Sequence, residues 1–313
     1  MLGYLVRRIL VLIPLLFSLT VLLFFYIHAV PGDPIAGMLG PDSTPELIAR
    51  LRHERGLDLP LWEQYWRWFA GLFRGDLGIS LINGAPVTPI VINRIPATLQ
   101  LTLCSLFLIV AIGFPLGFLA GKHQGSWIDR ILSPTALLGL STPAFWLGTL
   151  LILIFAVRLG WFPAGGYIPF SEDPIESLRR TLLPAFALGI NLSPLLARLV
   201  RAATVELKRE PFVIQASGRG LKPNTITRRY LLRNAVLPVL VIVGMQLGGL
   251  LGGQVIIEQL FSWPGVGRLL VEGAVQRDYL LVQSLILVVA VIYVLVNLAV
   301  DVLHASLDPR VKL

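Results

Sequence analysis

The sequence predicts an all-α integral membrane protein, and two observations carry that prediction. Hydrophobic residues make up 55% of the 313-residue chain and charged residues only 14%, with a mean hydropathy of +0.77. Soluble globular chains hold about a quarter charged residues and roughly 45–50% apolar ones. Several apolar runs also reach the ~20 residues that a helix needs to cross a bilayer. The net charge of +8 fits topogenic loops better than a nucleic-acid surface. Cys104 is the single cysteine, so an internal disulfide and the zinc spacings are excluded.

Six spans follow in order: 9–30, 98–121, 132–157, 182–200, 235–257 and 280–303. The first, preceded by Arg7 and Arg8, is longer than a signal core, and no small-x-small cleavage site follows it. It reads as a retained span. Asn191 and Pro194 interrupt the fourth, which a bilayer tolerates when neighbouring helices satisfy the freed carbonyl. With this count, Arg7, Arg8, Lys122, Arg130, Arg201, Lys208, Arg209, Arg310 and Lys312 all fall on one side. Positive-inside then places both termini and the loop after span four in the cytoplasm.

The first connection, 31–97, is long and mixed in charge. Pro31-Gly32-Asp33-Pro34 stops the first helix. Thr44-Pro45-Glu46-Leu47 starts a capped helix continued by Leu51 and Arg55. Trp62, Tyr65, Trp66, Trp68 and Phe69 follow; such a cluster either rests at the lipid headgroups or meets an external partner. In span five, Gly244, Gly248 and Gly252 recur every fourth residue, as do Gly249 and Gly253. Small residues so spaced let helix backbones approach closely, either within this chain or beside a solute path shared with a second subunit.

Chemistry is sparse. No Gly-x-x-x-x-Gly-Lys-Ser/Thr loop occurs. The four histidines, His28, His53, His123 and His304, lie on different segments. Gly78-Ile79-Ser80 lacks the second glycine of a nucleophile turn. Among the spans only Glu258 and Asp301 are acidic, both near helix ends, whereas an ion-coupled carrier places acids near the midplane. The milder polar residues are Ser105, Ser141, Thr142, Asn191, Ser193, Gln246, Gln254 and Asn297. They line a path or bond neighbouring helices. Ser141, Phe145, Asn191, Gln246, Gly248, Gly252 and Gln254 are the candidates for a translocation path or its helix packing.

One loop stands apart. Residues 213–238 read VIQASGRGLKPNTITRRYLLRNAVLP and crowd Arg219, Lys222, Arg228, Arg229 and Arg233 among small residues. Pro211 allows a short helix to start, and Gly218 and Gly220 end it; a second basic helix, 225–233, leads into span five. A short helix fixed between two membrane helices can pass a push into both.

That loop resembles the coupling loop, or EAA motif, of bacterial ABC-importer permeases. The whole chain is similar to the first permease subunit of the dipeptide/oligopeptide/nickel group. Gln215-Ala216-Ser217-Gly218-Arg219-Gly220-Leu221 stands where that group has an Ala-Arg-Ala-Lys-Gly-Leu-like run, and Arg233-Asn234-Ala235 with Pro238 follows suit. Further similar stretches are Gly32-Asp33-Pro34, Gly56-Leu57-Asp58, Gly75-Asp76-Leu77-Gly78 with Ser80, and Pro96-Ala97-Thr98-Leu99. Pro143 with Phe145-Trp146, Leu183-Pro184-Ala185, Trp263-Pro264-Gly265-Val266-Gly267-Arg268, Arg277-Asp278-Tyr279 and Asp308-Pro309-Arg310 complete the series. Ser217-Gly218 departs from the more usual Arg-Ala pair, and Leu280 stands where proline commonly follows Arg-Asp-Tyr.

The resemblance implies a type I ABC-importer permease fold of six transmembrane helices with a large periplasmic loop between the first two. The parts are an N-terminal segment and first span (1–30), a periplasmic region (31–97), a permease core (98–303) containing the coupling loop (201–234), and a cytoplasmic tail (304–313). It further implies a sister permease, two cytoplasmic ATPases that hold ATP and Mg, and a solute-binding protein outside. By the same resemblance this chain itself is expected to bind no cofactor, metal or nucleic acid and to catalyse nothing, with membrane lipid around it. Phe212, Gln215, Ala216, Ser217, Arg219, Gly220 and Leu221 would meet an ATPase. Peptides are the first expectation for cargo; glutathione, nickel chelates, opines and sugars are alternatives within the group. A stand-alone secondary carrier and an intramembrane enzyme are the rival readings, and the latter needs a nucleophile–base pair or metal set that the sequence does not display.

Overall fold

The computed structural model describes residues 2–29, 35, 44–54, 56–82 and 84–307. Among them every regular element is helical; the only extended pairing is an isolated bridge between Ile79 and Pro86. Three helical segments are long and apolar enough to cross a bilayer: Val87–Lys122, Pro174–Leu207 and Tyr279–Val302. Leu10–Tyr26 and Ala144–Arg158 are shorter apolar helices. The chain divides into two compact units, Met1–Pro96 with Gly265–Val294, and Ala97–Pro264 with Leu295–Leu313.

In the first unit, α1 (Leu2–Ala29) covers residues 9–29 of the first predicted span. The turn predicted at Gly32, Asp33 and Pro34 lies outside the described residues. α2 (Pro45–Glu54) begins as its sequence dictates: the Thr44 hydroxyl accepts a hydrogen bond from the Leu47 amide at 3.3 Å, satisfying one of the orphan donors of the first turn. α3 (Leu61–Leu72) buries Tyr65 and Trp68 against Leu23 and Phe24 of α1. α4 (Val87–Ile92) supplies Val87 and Val91 to a second cluster with Val266 and Leu269 of α12 (Val266–Val275) and Leu281 and Leu285 of α13 (Tyr279–Leu307). The α12–α13 turn places Arg277 at φ +59°. Asp278, 1% exposed, accepts from the Leu281 amide at 3.3 Å and so caps α13. It also takes the Ser80 hydroxyl and the Leu81 amide, the latter at 3.1 Å. The Gly-Asp-Leu-Gly-x-Ser and Arg-Asp-Tyr stretches, 197 residues apart at Leu81 and Asp278, are thus two sides of one contact.

The second unit takes α5 (Ile95–Lys122) from Ala97 onward, α6 (Trp127–Ser141), α7 (Ala144–Leu151) with the π-helical stretch Ile152–Arg158, α8 (Pro174–Leu207), α9 (Pro211–Gly218), α10 (Arg233–Gly253) and α11 (Val255–Leu260). The predicted third span is broken. Thr142 is extended (φ −93°, ψ 123°) because a residue before proline is pushed out of the helical region, and Pro143 supplies no amide. The fourth, by contrast, runs unbroken for 34 residues through Pro184 and Pro194. It starts sharply: Asp173 accepts from the Ile175 and Glu176 amides at 3.0 Å each, with Pro174 in the first turn, the arrangement favoured at a helix N-terminus. The basic helix predicted at 225–233 is a π-helical stretch, Ile226–Leu232, continuous with α10.

α5 and α8 approach with backbone contact. A Cβ at Gly113 would lie 2.6 Å from the Ser193 carbonyl, at Gly117 2.3 Å from the Ala197 carbonyl, and at Gly121 2.7 Å from Thr204 Cβ. Only glycine permits that distance. Leu101, Ile109, Leu196, Val200 and Trp263 are fully buried in the same core.

Candidate coupling surface and polar seam

α9 is amphipathic by position rather than by charge. Val213 and Ala216, three residues apart, are 5% and 4% exposed and face inward. Phe212 is half-buried and stacks on Tyr230 of the π-helical stretch at a centroid distance of 6.5 Å. Ile214, Gln215, Ser217 and Gly218 lie on the open side. The helix is therefore clamped on one face to the segment leading into α10, and uncovered on the other.

Its C-terminus is a two-bond cap. The Leu221 amide donates to the Ala216 carbonyl at 3.3 Å and the Gly220 amide to the Ser217 carbonyl at 3.0 Å, with Gly220 at φ +72°. This is the Schellman arrangement, in which a left-handed residue follows the helix and satisfies its last carbonyls. Arg219, Lys222, Arg228, Arg229 and Arg233 are all exposed. Of the seven sequence-predicted coupling residues, the structure puts Gln215, Ser217, Arg219, Gly220 and Leu221 on the open surface. Ala216 is part of the clamp, and Phe212 bridges the two.

The path candidates scatter. Asn191 of α8 donates to the Thr142 carbonyl at 2.6 Å, satisfying an acceptor exposed by the α6–α7 break. Gln254 is 1% exposed and donates to the Thr102 hydroxyl at 3.1 Å. Gln246, 7% exposed, reaches the Leu192 carbonyl at 3.4 Å. These three bond helices together. Phe145 of α7 is exposed, Gly248 is half-buried in α10, and Gly252 lies in the same helix. Ser141 ends α6, and its side chain lies outside the described residues.

Two features escaped the sequence reading. Glu258, fully buried, accepts from the Thr98 hydroxyl at 3.1 Å, one turn from the Gln254–Thr102 bond, while the Trp263 indole donates to the Ala97 carbonyl at 2.9 Å. The Pro-Ala-Thr-Leu and Trp-Pro-Gly stretches thereby pin the start of α5 to α11. The second is an ion pair between Asp129 of α6 and Arg201 of α8; only a helix-end acid in a basic loop hinted at it.

Helical elements throughout the described residues, with three apolar segments long enough to cross a bilayer, give the architecture of a polytopic membrane protein. Residues 113–313 match the family of binding-protein-dependent transport system inner membrane components, and residues 1–102 match the N-terminal region described for such membrane components. The chain belongs to this family and is an inner-membrane permease of an ABC importer. It is 38% identical over 312 residues to the glutathione transport system permease protein GsiC of Escherichia coli (strain K12), covering 100% of this chain and 99% of the relative. GsiC of Shigella flexneri serotype 5b is 37% identical over the same coverage. Among solved structures, the inward-facing MetNI methionine ABC transporter superposes with a TM-score of 0.58 at 19% identity, over 70% of this chain and 96% of that one. That likeness concerns the fold alone.

Proposed function

We propose that this chain is the non-catalytic permease subunit through which an ATP-driven importer takes up short peptides, glutathione, itself a tripeptide, being the first cargo to test. The supporting observation is α9, a short helix clamped on one face and open on the other between two apolar helices. In this reading six spans cross the membrane with both termini in the cytoplasm, 31–97 lies outside, and α9 seats on one of two partner ATPases that hold ATP and Mg. A sister permease completes the path and a solute-binding protein delivers cargo. The names of the relatives favour glutathione over nickel chelates.

The test uses the assembled transporter in proteoliposomes with its binding protein. Glutathione or a dipeptide should bind the binding protein, stimulate ATP hydrolysis and accumulate inside. Accumulation by this chain alone, indifferent to the ATPases, would instead establish a secondary carrier. Stimulation by a nickel chelate but by neither peptide would reassign the cargo.

A further inference from the structure

The helix α3 packs along the apolar stretch of α1. Phe69 meets Phe17 at a ring distance of 5.6 Å, Tyr65 meets Phe24 at 5.4 Å, and the Thr20 and Tyr65 hydroxyls are 3.0 Å apart. Phe17 and Phe24 are 12 and 5 residues from Ala29, the last residue of α1. At 1.5 Å per residue those contacts sit about 18 and 7.5 Å below the end of the helix. A bilayer's hydrocarbon is about 30 Å thick, and α1 is apolar from Ile9 to Ala29. So α3 crosses α1 alongside its apolar half, below the level of a free-standing loop.

The faces of α3 agree with that placement. Tyr65, Trp68 and Leu72 share the face turned to α1. Next to it, Trp62 (64% exposed), Trp66 (52%) and Phe73 (80%) fall on one stripe at helical spacing, on the outward side of the described residues. Beyond the stripe, Arg67 pairs with Glu63 at 2.8 Å. The order around the helix is protein, aromatic, charge. Elsewhere on α1, Leu22 is 67% and Tyr26 73% exposed.

The geometry points to α3 as a helix that dips from the interface into one leaflet alongside α1. Its Trp62–Trp66–Phe73 stripe is sunk among the acyl chains and headgroups of the leaflet at the C-terminal end of α1, the outer leaflet in the orientation proposed above. Trp and Phe supply the apolar face such a helix buries, indoles favour the headgroup level, and the Glu63–Arg67 side reaches back to water. The long connection is then anchored to the membrane at its middle, and the position of α1 is braced from the lipid side.

The test is nitroxide accessibility in the assembled transporter in lipid nanodiscs, with single cysteines introduced into an otherwise cysteine-free complex. Labels at Trp62→Cys, Trp66→Cys and Phe73→Cys should collide with oxygen several-fold more, relative to a water-soluble nickel chelate, than a label at Arg67→Cys. High nickel accessibility at all four positions would overturn the inference and put α3 in water. Low accessibility to both reagents at 62, 66 and 73 would overturn it in favour of a covering subunit, and nickel protection that appears only with the binding protein would make the stripe a docking surface. Should the cysteine variants fail to assemble, quenching of native tryptophan fluorescence by brominated phospholipid decides. Trp62→Phe with Trp66→Phe should remove a measurable part of the quenching, and an unchanged quenching would refute lipid contact.

Discussion

Asp129 and Arg201 form a two-bond ion pair: Arg201 Nε donates to Oδ1 at 2.6 Å and Nη2 to Oδ2 at 2.7 Å. Asp129 is 6% exposed and also accepts the Gly125 amide at 3.0 Å. The pair ties the start of α6 to α8 six residues before α8 ends at Leu207, next to the loop that carries α9. Removing one partner strands the other charge, which costs about 3–5 kcal/mol when fully buried; the one-third exposed Arg201 side chain lowers that to about 1–3 kcal/mol by solvent screening. Asp129→Ala should therefore lower the melting temperature of the purified transporter and weaken ATPase stimulation by loaded binding protein. The exchange Asp129→Arg with Arg201→Asp should recover part of both. No recovery, with each single variant as stable as the wild type, would mean that the pair is incidental.

Gly220 is the second test. Its φ of +72° and its place in the two-bond cap require a residue at ease in the left-handed region, where other residues lose about 1–2 kcal/mol. A Cβ there meets nothing within 4 Å in this chain. Gly220→Asn, which tolerates that conformation, should retain coupling if strain is the whole effect. Gly220→Glu should leave membrane insertion intact and abolish solute-stimulated hydrolysis. If Gly220→Asn also uncouples while the complex still assembles, the obstacle is the partner surface.

The loop around α9 was legible because its punctuation is local: Pro211 at the start, Gly218 and Gly220 at the end. So was the Thr44 cap of α2. Pro194 is tolerated inside its span because a missing donor does not end a helix packed on several sides; Gly139 lets α6 close against the Pro194 ring, with an added Cβ only 2.6 Å from Cγ. The break at Gln254, with φ −85° and ψ 4°, could not be read, since it accompanies a side chain bound to Thr102 on another helix. Glycine spacing pointed to Gly244, Gly248 and Gly252, yet the same spacing at Gly113, Gly117 and Gly121 marks the close approach of α5 to α8. Spacing identifies a smooth face; it does not say which neighbour uses it.

Asp278 joins three jobs in one carboxylate: capping α13, holding the Leu81 amide and accepting the Ser80 hydroxyl. Asp278→Ala leaves buried donors without acceptors, each worth about 1–3 kcal/mol. The expected result is a clear drop in thermal stability and faster amide exchange at Leu81 and Leu281. Asp278→Asn keeps an acceptor and should be milder. Equal stability of all three proteins would show that the contact contributes nothing net.

Gly117 and Gly249 provide an internal comparison. A Cβ on Gly117 would stand 2.3 Å from the Ala197 carbonyl, and the groups nearest it are all backbone. Overpacking of this kind typically costs about 1–3 kcal/mol, and a rigid helix cannot yield as a flexible side chain does. Gly117→Ala should reduce the yield of folded permease and lower its melting temperature. A Cβ on Gly249 meets nothing within 4 Å of this chain, and alanine is the better helix former by up to about 1 kcal/mol. Gly249→Ala should leave this chain's folding unchanged or improved. Larger side chains at Gly249 then probe what lies outside the chain. If Gly249→Leu preserves the fold yet blocks pairing with the sister permease or transport, that face of α10 packs against the partner or borders the path. If Gly249→Leu transports normally, the glycines of α10 serve only contacts within this chain, such as Gly244 against Val300, where an added Cβ would lie 2.6 Å from Cγ1.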